Sequence, residues 1–301
     1  MAENQEAASA AESGSRQLVT FRVQTQCYAV PIESVVEMTL LRELEPIVGA
    51  PSWIRGMMQL RDSVVPIMDL RLRLGLTDLR EEVIALEKML QERKKDHIIW
   101  LQTLEEACAS GKRFELQKDP TQCGFGLWFY AFKTEDAILA NQVAKFEAPH
   151  NRIHALADHC LRLSAKGDKE AAQREIDLAR EVDLSDMIRL FDITVREIKE
   201  RSRQMVVILR GKDENLGLAV DKVDSVATVE NEKVDPRPLH DLESDDAESA
   251  LLVDSVVRSG NDGGLIQILD VDRIFSSAGI AHREAACLDP TAASALEASV
   301  G

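Results

Sequence analysis

Four side chains in this sequence have the types and spacing to hold one metal ion: His97, Cys123, His150 and His154. His150 and His154 are four apart, so on a helix they lie on one face, a turn from each other, and can reach a common point. Cys123 stands in the stretch DPTQCGFGLWFY, residues 119–130, and offers a sulfur donor. One thiolate and three imidazoles close a tetrahedral zinc site. Plainer readings use the same residues. Histidine pairs at this spacing occur in helices that bind nothing, and a cysteine among aromatics also serves as a buried space-filler or a reactive thiol. His159 and Cys160 lie close by but off the His150/His154 face, which suits surface or packing positions or, failing that, alternative ligands.

The donor count speaks against a hydrolytic zinc enzyme. A catalytic zinc keeps one position open for water, four protein donors leave none, and no glutamate stands in an H-E-x-x-H arrangement. The expectation is therefore a protein that is not an enzyme.

The elements that must position these residues change character twice along the chain. From Arg16 to about Leu76 the runs are short and strand-like: Val19, Phe21 and Val23 alternate with polar neighbours, CYAVPI and SVVPIMDL are β-branched and apolar, and VGAPSWIRG punctuates between them. From Thr77 to about Arg203 the apolar residues fall at helical spacing, with Val83, Leu86, Leu90, His97, Leu101 and Leu104 in the first stretch. A second helical stretch starts near Ile138 and a third follows Gly167, which reads as an antiparallel helical bundle. Strand patterns then return in QMVVILR, LGLAVDKV, SVATV, ALLVDSVVR and GLIQILDV. The order β, α, β fits either separate domains in series or a helical domain inserted into a two-part β domain. The expected boundaries are a tail over 1–15, a first β half over 16–78, a helical insert over 79–200, a second β half over 201–280 and a tail over 281–301. Both tails, rich in Ala, Glu and Ser, are expected to be disordered.

Composition narrows the partners. A formal net charge of -16 repels nucleic acid and anionic lipid surfaces. No apolar run reaches the roughly 18 residues that span a bilayer, and the first fifteen residues lack a signal-like core, so a cytoplasmic protein is expected. The five cysteines, Cys27, Cys108, Cys123, Cys160 and Cys287, are odd in number and irregularly spaced, which favours metal or redox chemistry over a disulfide framework.

Two families are then resembled. His97-x-x-Trp100, Asp119-Pro120 ahead of Cys123-x-x-Gly126-x-Trp128, and His150-x-x-x-His154 resemble the chemoreceptor zinc-binding (CZB) domain over roughly Glu82 to Glu200. That resemblance implies a four-helix bundle holding zinc through His97, Cys123, His150 and His154, in a family that dimerises through the bundle. The β segments, from QLVTFRVQTQCYAVPIESVVEM to APSWIRGMMQLRDSVVPIMDLRLRLG, and again in MVVILRGKDENLGLAVDKVDSVATV and GLIQILDVDRIF, resemble the CheW-type coupling domain of bacterial chemotaxis. This implies an α+β protein: a pair of small five-stranded β-barrels with the helical segment inserted at the crossover between them. It also implies binding to chemoreceptor tips and to the histidine kinase CheA, with Val35, Glu37, Gly56 and Arg61 at contact positions. Arg61 is followed by Asp62 where that family usually has glycine, so an acid stands ready to pair with the guanidinium or to repel an acidic partner.

Taken together, the two resemblances imply a cytoplasmic signalling adaptor whose insert senses zinc or an oxidant such as hypochlorous acid through Cys123. The alternatives are zinc as a purely structural staple in an insert that serves as a dimerisation platform and, behind it, a zinc-dependent enzyme.

Overall fold

The structure, a computed structural model, describes residues 14–236, 252–258 and 264–279. Most of the first expected tail and all of the second, with Cys287, lie outside the described residues. In chain order the elements are β1 (Ser15–Val23), β2 (Gln26–Pro31), β3 (Val35–Leu40), β4 (Ile54–Leu60), β5 (Ser63–Asp69), α1 (Leu70–Arg73), α2 (Leu79–Ser110), α3 (Gly124–Ala131), α4 (Ala137–Ala144), α5 (Glu147–Ala165), α6 (Lys169–Ala179) and α7 (Ser185–Arg201). They continue with β6 (Met205–Leu209), β7 (Leu216–Val220), β8 (Lys222–Glu230), β9 (Val234–Asp235), β10 (Val253–Arg258), β11 (Leu265–Leu269) and α8 (Val271–Ser277). The first strand begins at Ser15, inside the expected tail, because Ser15 pairs with Glu230.

Two compact units emerge: Asp78–Arg203 is helical, and the chain up to Thr77 joins the chain from Gln204 in a β unit. The β unit is an internal repeat. One sheet has the order β8-β1-β2-β11-β10-β9 and the other β3-β6-β7-β5-β4. In each, a central antiparallel hairpin (β1/β2 or β6/β7) pairs in parallel with the last strand of the other half (β11 or β5). Both sheets therefore contain strands from before and after the helical unit, which is why neither half can form its sheet alone.

The expected pair of five-stranded barrels takes the form of two mixed sheets, of six and five strands, with no closing ladder among the described residues. The edges are linked by chain rather than by a ladder. Edge strand β8 runs through the turn Asn231–Lys233 into β9 on the opposite edge. In the other sheet the chain leaving β3 meets edge strand β4 at a single bridge, Glu45 with Met57, whose two backbone hydrogen bonds are 2.9 and 2.8 Å. Gly56 makes this approach possible: its φ is +142°, and a Cβ there would lie 2.4 Å from the Glu45 carbonyl oxygen.

Burial follows the sequence pattern. Val19, Phe21 and Val23 of β1 join Val207, Leu209 and Leu218 in the core between the sheets. Leu18, of the opposite parity, packs with Ile266 and Ile268 under the first sheet, and Met58, Ile67 and Ile208 pack under the second. β7 is buried along its whole length, as an uninterrupted apolar strand flanked on both faces must be. Buried ion pairs hold the ends of the interrupted unit. Arg71 pairs with Asp221 at 2.7 Å and donates to the Thr77 carbonyl at 3.3 Å, while Asp69 pairs with Arg55 at 2.6 Å and accepts from Gln204 at 3.4 Å.

The helical unit consists of three long rods, α2, α5 and α6–α7, with α3 and α4 in the connection between the first two. Aspartates cap three of its helices: Asp78 on α2, Asp136 on α4 and Asp168 on α6 accept from first-turn amides, and Gly111 and Gly167 end α2 and α5 in the left-handed conformation. Cys123 takes the corresponding position on α3. α6–α7 runs antiparallel to α2, as the ion pairs Lys94–Asp192 and Lys199–Glu87 show. α2 and α5 instead run in the same direction, His97 lying by His150 and Cys108 by Ser164. The long connection carrying α3 and α4 allows this by returning the chain to the starting end. A π-helical turn, Arg180–Leu184, joins α6 to α7.

Candidate metal centre

The four residues singled out by spacing converge in the helical unit. One donor atom from each of His97, Cys123, His150 and His154 lies within 4.8 Å of every other. Each arrives for a local reason. His97 is in the middle of α2, on the face that also buries Trp100, Leu101 and Leu104. His150 and His154 lie on α5, with ring centroids 4.7 Å apart. Pro149 sits in the first turn of α5, where backbone N–H groups have no helical partner to lose.

Cys123 is delivered by the turn before α3. Asp119 Oδ1 accepts from the Thr121 amide and hydroxyl, both at 2.8 Å, and these bonds hold the Asp119 carboxyl below its ordinary range. As the N-cap of α3, the Cys123 sulfur accepts from the Gly126 amide at 3.2 Å. Burial raises the thiol's pKa, against the pull of that amide, of the Phe125 amide and of Arg93. Gly124 and Gly126 are helical, and Gly126 is required for closeness: a Cβ there would be 1.8 Å from the Pro120 carbonyl oxygen.

The imidazoles are prepared for ligation. His97 Nδ1 is 2.7 Å from the Arg93 carbonyl and His154 Nδ1 is 3.1 Å from the Lys118 carbonyl. A carbonyl only accepts, so each Nδ1 carries the proton and each Nε2 keeps its lone pair. His97 Nε2 and His154 Nε2 are buried with no hydrogen-bond partner. His150 Nε2 faces the Cys123 sulfur at 3.3 Å. Burial, reinforced by the neighbouring rings, lowers the pKa of His150 to about 3 and of His154 to about 4, and burial lowers that of His97. All three are neutral at pH 7. Buried lone pairs with nothing to accept from are costly in a metal-free protein, and a borderline-soft divalent ion suits three imidazoles and one thiol. The residues present fit zinc.

Aromatic rings wall the cluster. Phe125 lies 5.7 Å from His97 and 5.0 Å from His150, Trp100 lies 5.0 Å from His154, and Phe191 of α7 lies 6.1 Å from His97. Of the DPTQCGFGLWFY aromatics, Phe125 does the shielding, whereas Tyr130 is exposed. Sequence reasoning missed Phe191 and the carbonyls of Arg93 and Lys118. His159 is exposed, and Cys160 is buried with its pKa pushed up to about 12 by burial and by Cys108.

In the β unit the structure brings two of the four expected contact residues together. Glu37 on β3 and Arg61 in the β4–β5 turn form an ion pair at 2.7 Å, with the Arg61 side chain 80% exposed. Arg61 is thus paired across the sheet rather than with its neighbour Asp62. Val35 is half-buried against the core between the sheets, and Gly56 faces the Glu45 carbonyl. The alternate residues of β3, Val36, Met38 and Leu40, are exposed.

Comparison with known proteins gives both units a family. The CheW-like domain model matches residues 17–106 and 180–279, more than half of the chain, and the chemoreceptor zinc-binding domain model matches residues 97–161. The first match overruns the β unit into α2 and α7; the second covers all four donors. A Chemotaxis protein CheW of Treponema pallidum (strain Nichols) is 34% identical over 62 residues, 21% of this chain and 36% of that protein. A Chemotaxis protein CheW of Rhizobium meliloti (strain 1021) is 38% identical over 64 residues, 21% of this chain and 41% of its own length. The chain thus matches less than half the length of these relatives. The crystal structure of the scaffolding protein TtCheW from Thermoanaerobacter tengcongensis is similar over 86% of this chain and 90% of that one, at 13% identity and a TM-score of 0.39. Among the described residues no helix is long and apolar enough to cross a membrane. A CheW-like match interrupted within the helical unit, with a chemoreceptor zinc-binding match covering most of the interruption, makes this chain a member of the CheW-like domain family carrying an inserted chemoreceptor zinc-binding domain.

Proposed function

We propose that this chain is a cytoplasmic chemotaxis adaptor in which the β unit couples chemoreceptor tips to the histidine kinase CheA and the helical unit reports zinc or oxidant status. The observation that carries the sensing half is the cluster of three buried, neutral imidazoles and one cysteine sulfur with donors within 4.8 Å of one another. His97, Cys123, His150 and His154 would hold zinc, which when bound supplies folding free energy and keeps Cys123 as a thiolate. The thiolate is the form that attacks hypochlorous acid, giving a sulfenic acid as chloride leaves. That change alters the sulfur at the N-cap of α3 and so strains the packing of α3 against α2 and α5. Glu37, Arg61 and the exposed stripe Val36, Met38 and Leu40 support β3 and the β4–β5 turn as the partner-facing surface.

A second reading, zinc as a staple in an insert that serves as a dimerisation platform, is favoured by the near-complete burial of the imidazoles, at 4%, 0% and 3% exposure for His97, His150 and His154. Complexes of CheA, receptor fragments and the full chain distinguish the two. The sensor reading expects kinase output to change on chelation or hypochlorous acid treatment, and the oxidant response to disappear in Cys123→Ser. Kinase output indifferent to both treatments, beside a dimer that sediments alike with and without metal, would leave the staple.

A further inference from the structure

Two buried cysteines lie toward the C-terminal ends of α2 and α5, outside the set of four clustered donors. Ser164 Oγ on α5 donates to the Cys108 carbonyl on α2 at 2.6 Å, which fixes the level at which these two helices meet. Cys160 stands one turn before Ser164 on the same face of α5. Because α2 and α5 run in the same direction and helical side chains lean toward the N-terminus, the Cys108 side chain leans from the Ser164 level back toward Cys160. Both sulfurs are free, both residues are buried (4% and 0% exposed), and both belong to one core cluster. The Cys160 sulfur is 3.7 Å from the Ala172 carbonyl on α6, and Cys108 lies near enough to help burial raise the Cys160 thiol's pKa.

We propose that Cys108 and Cys160 form an oxidisable pair, which a two-electron oxidant of the hydroperoxide class joins in an intramolecular disulfide tying α2 to α5. In the first step one thiolate attacks a peroxide oxygen: the O–O bond breaks, hydroxide leaves, and the sulfur becomes a sulfenic acid. In the second, the other sulfur attacks the sulfenic sulfur, the S–S bond forms, and the departing hydroxide takes the remaining thiol proton as water. The two thiols lose two electrons in total, and one hydrogen peroxide becomes two waters. Burial makes the pair slow to react in the closed bundle, so the reaction proceeds through local opening of the helix ends. The crosslink closes a loop that contains Cys123, His150 and His154, and so tethers the bundle under the conditions that attack Cys123.

Peptide mapping of the full chain after hydrogen peroxide treatment and alkylation of the remaining thiols tests this. The expected result is a peptide containing Cys108 linked to one containing Cys160, lighter by two hydrogen atoms and separated again by dithiothreitol. The link should be absent in Cys108→Ala and in Cys160→Ala and retained in Cys123→Ser, which separates it from the zinc reading. Recovery of both residues as free thiols, as over-oxidised acids, or joined to other cysteines would overturn the proposal. The wild-type map decides this even if the alanine variants do not fold.

Discussion

The Cys123 sulfur lies 3.3 Å from His150 Nε2, joining the N-cap of one helix to the buried face of another. Two donors held this close by separate elements form a preorganised pair, so loss of either one removes more than a single contact. Cys123→Ser is expected to lower zinc affinity by at least about 100-fold, the upper range for loss of a mere supporting contact. Competition against a chromophoric chelator measures it, and a fall of less than a few fold would show that the sulfur is not a donor.

Gly126→Ala changes no donor but places a Cβ 1.8 Å from the Pro120 carbonyl oxygen. The turn Asp119–Cys123 must then move, carrying the sulfur with it. Zinc affinity should drop by roughly 10-fold or more while His97, His150 and His154 stay in place. Titration of the variant under the same competition checks this; unchanged affinity would mean that the turn has slack.

Acid should weaken the metal-free helical unit. The three histidines have folded pKa values below their unfolded value of about 6.5, down to about 4 for His154 and about 3 for His150. Between those values and 6.5 the unfolded chain binds more protons, so stability is fully present above about 6.5 and is lost as pH falls, by up to about 1.4 kcal/mol per pH unit for each histidine. Urea unfolding in chelator at pH 7 and pH 5, followed by Trp100 and Trp128 fluorescence, measures the slope. Equal stability at the two pH values would contradict it.

In the β unit, Gly56→Ala meets both a φ of +142° and a Cβ contact of 2.4 Å with the Glu45 carbonyl oxygen. It should cost about 2–4 kcal/mol. Gly49→Ala, with φ of +78° and nothing within 4 Å, should cost about 1 kcal/mol. Denaturation of the two variants tests the single-bridge account of how β4 meets the chain after β3; equal losses would count against it.

The Arg61–Glu37 pair is mostly exposed, and such pairs contribute about 0–1 kcal/mol. Arg61→Ala should therefore leave the melting temperature within a few degrees of wild type while weakening capture of CheA or receptor fragments. Undiminished capture would remove Arg61 from the partner surface.

The donors were legible because side-chain type and helical spacing are written in the residues themselves: His150 and His154 are four apart, and each stretch supplying a donor has a recognisable pattern. Their supports were not. The acceptors for His97 and His154 are backbone carbonyls, at Arg93 and Lys118, which any residue type would provide. Phe191 reaches the cluster from α7, remote in sequence, and looks like any core residue of an amphipathic helix. Alternation exposed β1 and a continuous apolar run exposed β6 as strands, but pairing between β2 and β11 or β5 and β7 depends on how the sheets fold, as does the contact that gives Arg61 to Glu37 rather than to Asp62.

Zinc K-edge X-ray absorption on the full chain, with metal content measured alongside, tests the central claim most directly. The account predicts one zinc per chain with three nitrogen donors and one sulfur at about 2.3 Å, the sulfur disappearing in Cys123→Ser. A chain that retains no zinc, or a zinc shell without sulfur in the wild-type protein, would contradict it.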